Sequence, residues 1–239
     1  MKITEYNLNK GMNKLVAVIT DLHDSEPSGI LKSLSARRPD VICIVGDFVH
    51  KDRLKKSPNA MKLLENCPKI ASTVVSLGNH EKFMCGGETS DIKKTGAVLL
   101  NNSSANISGI NFGGLTSFEY RNKLDEDDGK RITAAKTGGM AWVKRFCSLK
   151  GFKILLCHHP EYYPEFLKDA AVDLIFSGHA HGGQIRLFGR GLFAPGQGVL
   201  PKYTRGVYDG KLVVGAGLAN TVKPIPRLFN GTELIYVHI

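Results

Sequence analysis

Five short polar blocks carry residues able to do chemistry. They are Asp21-Leu22-His23, Gly46-Asp47, Gly78-Asn79-His80-Glu81, Cys157-His158-His159-Pro160 and Gly178-His179-Ala180-His181. Taken singly, each is ordinary. An Asp-x-His caps a turn, an Asp after Gly closes one, and Asn79 suits a left-handed turn. His158-His159 reads equally as one core imidazole with an exposed neighbour. Taken together they bring two Asp, one Asn and six His to bear, and so many N and O donors are costly to desolvate without a charged partner. Carboxylates mixed with imidazoles call for cations. The set holds no thiolate, which favours Mn, Fe or Zn, with Mg also accepted, over a structural cysteine-zinc site. The donors outnumber one coordination shell, so two divalent ions are expected. Two ions roughly 3.5–4 Å apart clamp a phosphoryl group and generate a hydroxide between them. Asp47 is the natural bridging carboxylate if its strand lies between the flanking blocks.

Such blocks need elements to hold them. Each follows a short run rich in Val, Ile and Leu: Leu15–Thr20, Val41–Val45, Ala71–Leu77, Phe152–Cys157 and Val172–Phe176. Continuous apolar runs of this length read as strands buried on both faces. Helices are predicted between them over Gly29–Arg38, which Pro39 closes, and over Asn59–Asn66, Met140–Leu149 and Tyr163–Ala170. The alternation implies an α/β architecture. Ligands collect at the carboxyl ends of strands in open α/β sheets, and all five blocks fall there. Residues 182–239 are Gly-rich, with short strand candidates at Leu192–Phe193, Leu212–Val214 and Leu234–Val237, and read as a compact antiparallel region covering the first sheet. No repeat or linker divides the chain, so residues 1–239 are expected to form one domain.

The order D-x-H, G-D, G-N-H-E, H, G-H-x-H, spanning residues 21–181, resembles the calcineurin-like metallophosphoesterases. The resemblance implies a four-layer α/β/β/α sandwich with two mixed β-sheets. It implies that Asp21, His23, Asp47 and His181 hold one metal ion and that Asp47, Asn79, His158 and His179 hold the second. His80, with Asn79, then acts on the scissile phosphate, steadying charge or protonating the leaving oxygen. Glu81 orients His80 or caps the following turn. His158 fits the single ligand His before x-Pro, leaving His159 toward substrate or solvent. Asp24 reads as a loop residue or as support for His23. Cys157 reads as a strand-interior thiol, and Cys85 as a candidate redox or metal residue.

Gly182-Gly183-Gln184, Leu187 through Gly191, Pro201-Lys202-Tyr203-Thr204-Arg205-Gly206 and Arg227-Leu228-Phe229-Asn230 resemble a bacterial branch of that family. The branch includes membrane-associated phosphodiesterases and UDP-diacylglucosamine diphosphatases. This resemblance implies a phosphate-ester substrate, lipid-linked or a nucleotide-sugar, and peripheral membrane contact.

The chain has 239 residues with a formal net charge of +10, and 42% are hydrophobic. That composition excludes a disordered or fibrous chain. No apolar stretch is long enough to cross a bilayer. Met1 to Asn13 is polar, so no signal peptide is expected and the location reads as cytoplasmic, with peripheral membrane contact. Five cysteines without a CxxC read as reduced thiols. Residues 182–239 carry seven Lys or Arg against two acidic residues, half the net charge. Within them, Phe188, Phe193 and Tyr203 make the basic segment partly apolar, and Lys202 and Arg205 are the best candidates for phosphate contacts. The acidic run Asp125–Asp128 reads as a solvated loop.

The leading reading is a dinuclear metal-dependent phosphodiesterase or pyrophosphatase using a metal-bridging hydroxide. A nuclease or cyclic-nucleotide phosphodiesterase on the same scaffold is the alternative, although no separate nucleic-acid module is visible. A non-catalytic protein-binding scaffold is a third reading. It is disfavoured because His80 and every expected ligand are present, and no protein partner is predicted.

Overall fold

Alternation within the apolar runs dictates how they stack. Val16 and Val18 point to one side of their strand and Ala17 and Ile19 to the other, and all four are buried. A strand hidden on both faces needs cover on each. The computed structural model describes all residues except 51–52, 85, 117–138 and 220–225. The acidic run Asp125–Asp128, Cys85 and Lys223 therefore lie outside the described residues.

Two six-stranded sheets form the centre. The first runs, edge to edge, β1 (Lys2–Asn7), β16 (Glu233–His238), β2 (Leu15–Ile19), β3 (Val41–Val45), β4 (Ser72–Ser76) and β5 (Val98–Leu100). Strands β2 to β5 are parallel, and β16 is antiparallel to β2. The second runs β14 (Gly206–Tyr208), β15 (Leu212–Val214), β9 (Leu174–Ser177), β8 (Lys153–Cys157), β7 (Ile110–Leu115) and β6 (Ser103–Ile107). Its inner four strands are parallel and its two edge strands antiparallel. Both sheets are mixed.

The side chains sort into three apolar layers. Val16, Val18, Val41, Cys43 and Val45 of the first sheet meet Phe112, Ile154, Leu156 and Phe176 of the second between the sheets. The opposite face of the first sheet, with Ala17, Ile19, Ile42 and Ile44, packs on α1 (Ser28–Arg37), α2 (Pro58–Ile70) and α3 (Gly86–Lys94) through Leu34, Leu63, Leu64 and Ile92. The outer face of the second sheet, with Leu155, Cys157 and Ile175, packs on Trp142, Val143 and Phe146 of the helix at 139–147. This is the expected α/β/β/α sandwich.

Several local readings change. Helix α2 extends to Ile70 instead of stopping at Asn66, and opens with Pro58, whose fixed φ suits a first helical position. The helix expected over Tyr163–Ala170 shrinks to one wide turn, Tyr163–Leu167. The polar N-terminus is an edge strand, β1, paired in parallel with β16. The expected antiparallel cover of the first sheet does not form. Instead β16 lies inside that sheet, with Leu234 and Tyr236 facing the helices and Ile235 and Val237 facing the second sheet. A strand buried on both faces cannot lie on the surface of a sheet. Strands β14 and β15 extend the second sheet. Among the described residues, two ribbons stand apart, β10 (Arg186–Leu187) with β11 (Arg190–Gly191), and β12 (Phe193–Ala194) with β13 (Gly198–Val199).

Candidate metal centre

The five polar blocks follow β2, β3, β4, β8 and β9, so three come from one sheet and two from the other. Cross-sheet hydrogen bonds stitch them together. His158 Nδ1 lies 2.8 Å from the Val45 carbonyl, and the His179 backbone N–H donates to Asp21 Oδ1 at 3.0 Å. The His80 backbone N–H donates to Asp47 Oδ1 at 2.8 Å.

Asp21, His23 and His181 form one group of donor atoms, and Asp47, His158 and His179 a second. The groups meet at Asp47. Its Oδ2 lies 3.2 Å from His158 Nε2, 3.8 Å from His23 Nε2 and 3.9 Å from His80 Nε2. Asp21 Oδ1 lies 3.7 Å from His181 Nε2 and 3.8 Å from His158 Nε2.

Five of these residues, Asp21, His23, Asp47, His179 and His181, have φ between 45° and 63°. Left-handed backbone at residues with a Cβ costs energy and clusters at functional sites. Asn79, by contrast, has φ of −73°, so the left-handed turn suggested for it is not adopted. Close approach also explains two glycines. A Cβ on Gly78 would sit 2.3 Å from Asp47 Oδ1, and one on Gly46 would sit 2.6 Å from Gly78 Cα.

The donors fit cations by their unmet bonds. Asp21 Oδ2, both ring nitrogens of His23, Asn79 Oδ1 and His181 Nδ1 are buried without a hydrogen-bond partner. Leaving such atoms buried and unsatisfied costs about 1–3 kcal/mol each. Burial holds the pKa of His23 down to about 3 and that of His179 well below the ordinary histidine value, so both imidazoles present lone pairs. Burial also lowers His80. His158 goes the other way. Burial opposes its charge, but Asp47, Asp21 and the Val45 carbonyl outweigh burial and push its pKa up to about 10. Buried carboxylates here hold a positive partner, which is the role a metal ion fills.

Other residues act differently from the sequence reading. Glu81 neither orients His80 nor caps the turn that follows. It reaches back, and its carboxylate accepts from the backbone N–H groups of Asp47 at 2.8 Å, Gly78 at 2.6 Å and Val49 at 3.2 Å. It thereby ties together the loops after β3 and β4. Asp24 does not support His23. Its Oδ1 accepts from the N–H groups of Asn59 and Ala60, both at 2.8 Å. It is a long-range cap for α2, whose Ser57 makes no side-chain cap. We expect Asp24→Ala to lower stability by about 1–2 kcal/mol in urea unfolding, and an unchanged midpoint would contradict this role.

His159 stacks on Tyr162 with ring centroids 5.3 Å apart, and its Nδ1 lies 2.9 Å from Glu161 Oε1. Glu161, missed in the sequence, groups with His159 and His179, and its Oε2 is buried without a partner. Burial raises its pKa, but the His159 hydrogen bond prevails and holds it at about 2. His50, also missed, groups with His23 and His80. Its only sequence signal is its place three residues after Asp47. Arg205, expected to contact phosphate, is paired here with buried Glu233, Nε to Oε1 at 2.9 Å. Lys202 is exposed, its Nζ 5.2 Å from the centre of the Tyr203 ring. Tyr203 itself is buried against Tyr163 and Tyr208, and Phe193 is half-buried, so neither forms a rim. Cys43, Cys67, Cys147 and Cys157 are free thiols, and burial pushes the Cys157 pKa upward.

The pattern of the calcineurin-like phosphoesterases matches residues 14–183, more than half of the chain. The chain belongs to this family. It is therefore a metal-dependent phosphoric ester hydrolase. It is 26% identical to an uncharacterized metallophosphoesterase of Aquifex aeolicus over 97% of this chain and 87% of that protein. It is 28% identical to an uncharacterized metallophosphoesterase of Campylobacter jejuni over 98% of this chain but 60% of that protein. A more distant relative is a UDP-2,3-diacylglucosamine pyrophosphatase of Chlamydia muridarum, 23% identical over 72% of this chain and 64% of that protein. The chain thus spans less than two thirds of the latter two proteins. Among the described residues of this phosphoesterase, no helix is long and apolar enough to cross a membrane.

Proposed function

We propose that the protein is a dinuclear phosphodiesterase or pyrophosphatase. Asp21, His23, Asp47 and His181 hold one divalent ion, and Asp47, Asn79, His158 and His179 the other. The observation that supports this most is the position of Asp47. One carboxylate oxygen faces His158 of one donor group and His23 of the other, at 3.2 and 3.8 Å. A carboxylate so placed would be available to both donor groups if each held an ion.

Bound divalent ions supply Lewis-acid charge for the phosphoryl oxygens and lower the pKa of a coordinated water. The chain's own residues do the rest. Asp47 accepts the His80 backbone N–H, which holds the imidazole at the edge of the site. His80 Nε2 donates a hydrogen bond or a proton toward the leaving oxygen. Asn79 steadies the phosphoryl group while its side-chain oxygen serves as a ligand. His159, held by Glu161, lines the approach for substrate. The substrate class we favour is a phosphodiester or diphosphate with an apolar or nucleotide portion, in keeping with the activity named for the Chlamydia relative.

His80→Ala tests the reading. Hydrolysis of bis(p-nitrophenyl) phosphate should fall about 100- to 10,000-fold, with bound metal unchanged by elemental analysis. An unchanged rate would overturn the assignment of His80. A parallel screen of monoesters, diesters, nucleotide-sugars and lipid diphosphates ranks the substrate classes.

A further inference from the structure

We infer that three turns beside the metal centre form a platform that docks on an anionic lipid surface. Phe188 is 104% exposed, Phe229 84%, Val199 78% and Leu200 69%. These are large apolar side chains that folding normally hides, and clustered exposure of this kind marks an interaction surface. Phe188, Leu200 and Phe229 all have positive φ, 49°, 52° and 54°. Bulky side chains rarely occupy that region, so each turn holds its apolar residue outward against a local cost.

The turns are far apart in sequence but joined by backbone bonds. The Arg186 N–H donates to the Leu228 carbonyl at 3.0 Å, the Leu192 N–H to Ile185 at 2.8 Å, and the Leu200 N–H to Leu192 at 2.9 Å. Arg186 braces its own hairpin by donating to the Gly182 and Gly189 carbonyls. The platform also connects to the metal centre. Asn230, next to Phe229, donates its side-chain amide to the carbonyl of His181 at 2.7 Å and of Gln184 at 3.0 Å.

Charge selects the partner. No acidic residue occurs in 182–208 or in 226–232. Arg190 and Lys202, each two residues after an exposed apolar side chain (Phe188 and Leu200), are themselves exposed. Aromatic and aliphatic residues flanked by Arg and Lys suit the interface of a membrane with anionic headgroups. A second copy of the chain fits less well. A two-fold interface sets a patch against itself, which would bring Arg190 and Lys202 toward their own copies.

The test is co-sedimentation of the full chain with phosphatidylcholine vesicles, with and without phosphatidylglycerol, at low and high salt. Binding is expected with the anionic vesicles and should weaken as salt rises. The double variant Phe188→Ser/Phe229→Ser should bind at least about tenfold more weakly, with unchanged melting temperature and unchanged hydrolysis of a soluble diester. Wild-type protein that stays in the supernatant with anionic vesicles at low salt would overturn the inference. So would vesicle binding that the double variant retains, or a wild-type dimer in light scattering that the double variant converts to monomer. None of these outcomes depends on the assignment of the metal ligands, because vesicle binding is read without substrate turnover.

Discussion

Asp47→Ala is expected to strip the protein of both metal ions and to reduce phosphodiester hydrolysis by at least about 10,000-fold. The effect should exceed that of any other single donor because Asp47 serves both groups. Its side chain is buried, faces His158, His23 and His80, and fixes the His80 backbone. In the proposed dinuclear centre its removal would take away the negative charge that two cations would share, and a buried cation without its carboxylate is strongly disfavoured. Loss of His181 or Asn79, each expected to serve one ion, should leave the other ion in place. Metal stoichiometry after dialysis against trace metal separates these outcomes. Retention of two ions by Asp47→Ala would refute the shared carboxylate, whatever the rate.

Arg205→Ala should cost about 3–5 kcal/mol of stability, the largest effect expected outside the metal centre. The pair it forms with Glu233 is nearly hidden, with 17% of the Arg205 side chain and none of the Glu233 side chain exposed. Glu233 also accepts from Thr4 Oγ1 and from the Ala216 N–H, so the pair links β1, β16 and the end of β15. Removing Arg205 leaves a buried carboxylate with neutral donors only. Adding Glu233→Gln should recover part of the loss, and a double-mutant cycle in urea isolates the coupling. KM for a soluble diester should not change in the molecules that remain folded. A raised KM with intact stability would restore Arg205 to the phosphate-binding role that its sequence neighbourhood suggests.

Arg205 shows where local reading stops. The stretch Pro201 to Gly206 looks like a basic loop, and nothing nearby in the sequence signals that Glu233 waits 28 positions away. Asp24 is similar. It stands next to His23 in sequence, but its carboxylate caps a helix that begins at Pro58. Glu81 reads as a partner of His80 because they are neighbours, whereas folding turns it back onto the N–H groups of two loops. In each case the partner is supplied by packing and not by local propensity. The candidate ligands were more legible. Each follows directly on an apolar run, and a run of five or six buried residues leaves little doubt about where the strand ends.

The residues by themselves thus determined most of the candidate donors, their strand-end positions and the α/β class, because short apolar runs closed by Asp, Asn and His carry those facts locally. Tertiary structure alone decided which strand ends come from which of the two facing sheets. It also decided that β16 fills the gap between β1 and β2, and that Arg205 is an internal ion pair. It left Phe188, Leu200 and Phe229 exposed on segments that backbone hydrogen bonds join. These outcomes rest on contacts between segments distant in the chain, chosen by which faces the two sheets must bury, and a single sequence read locally carries no record of that choice.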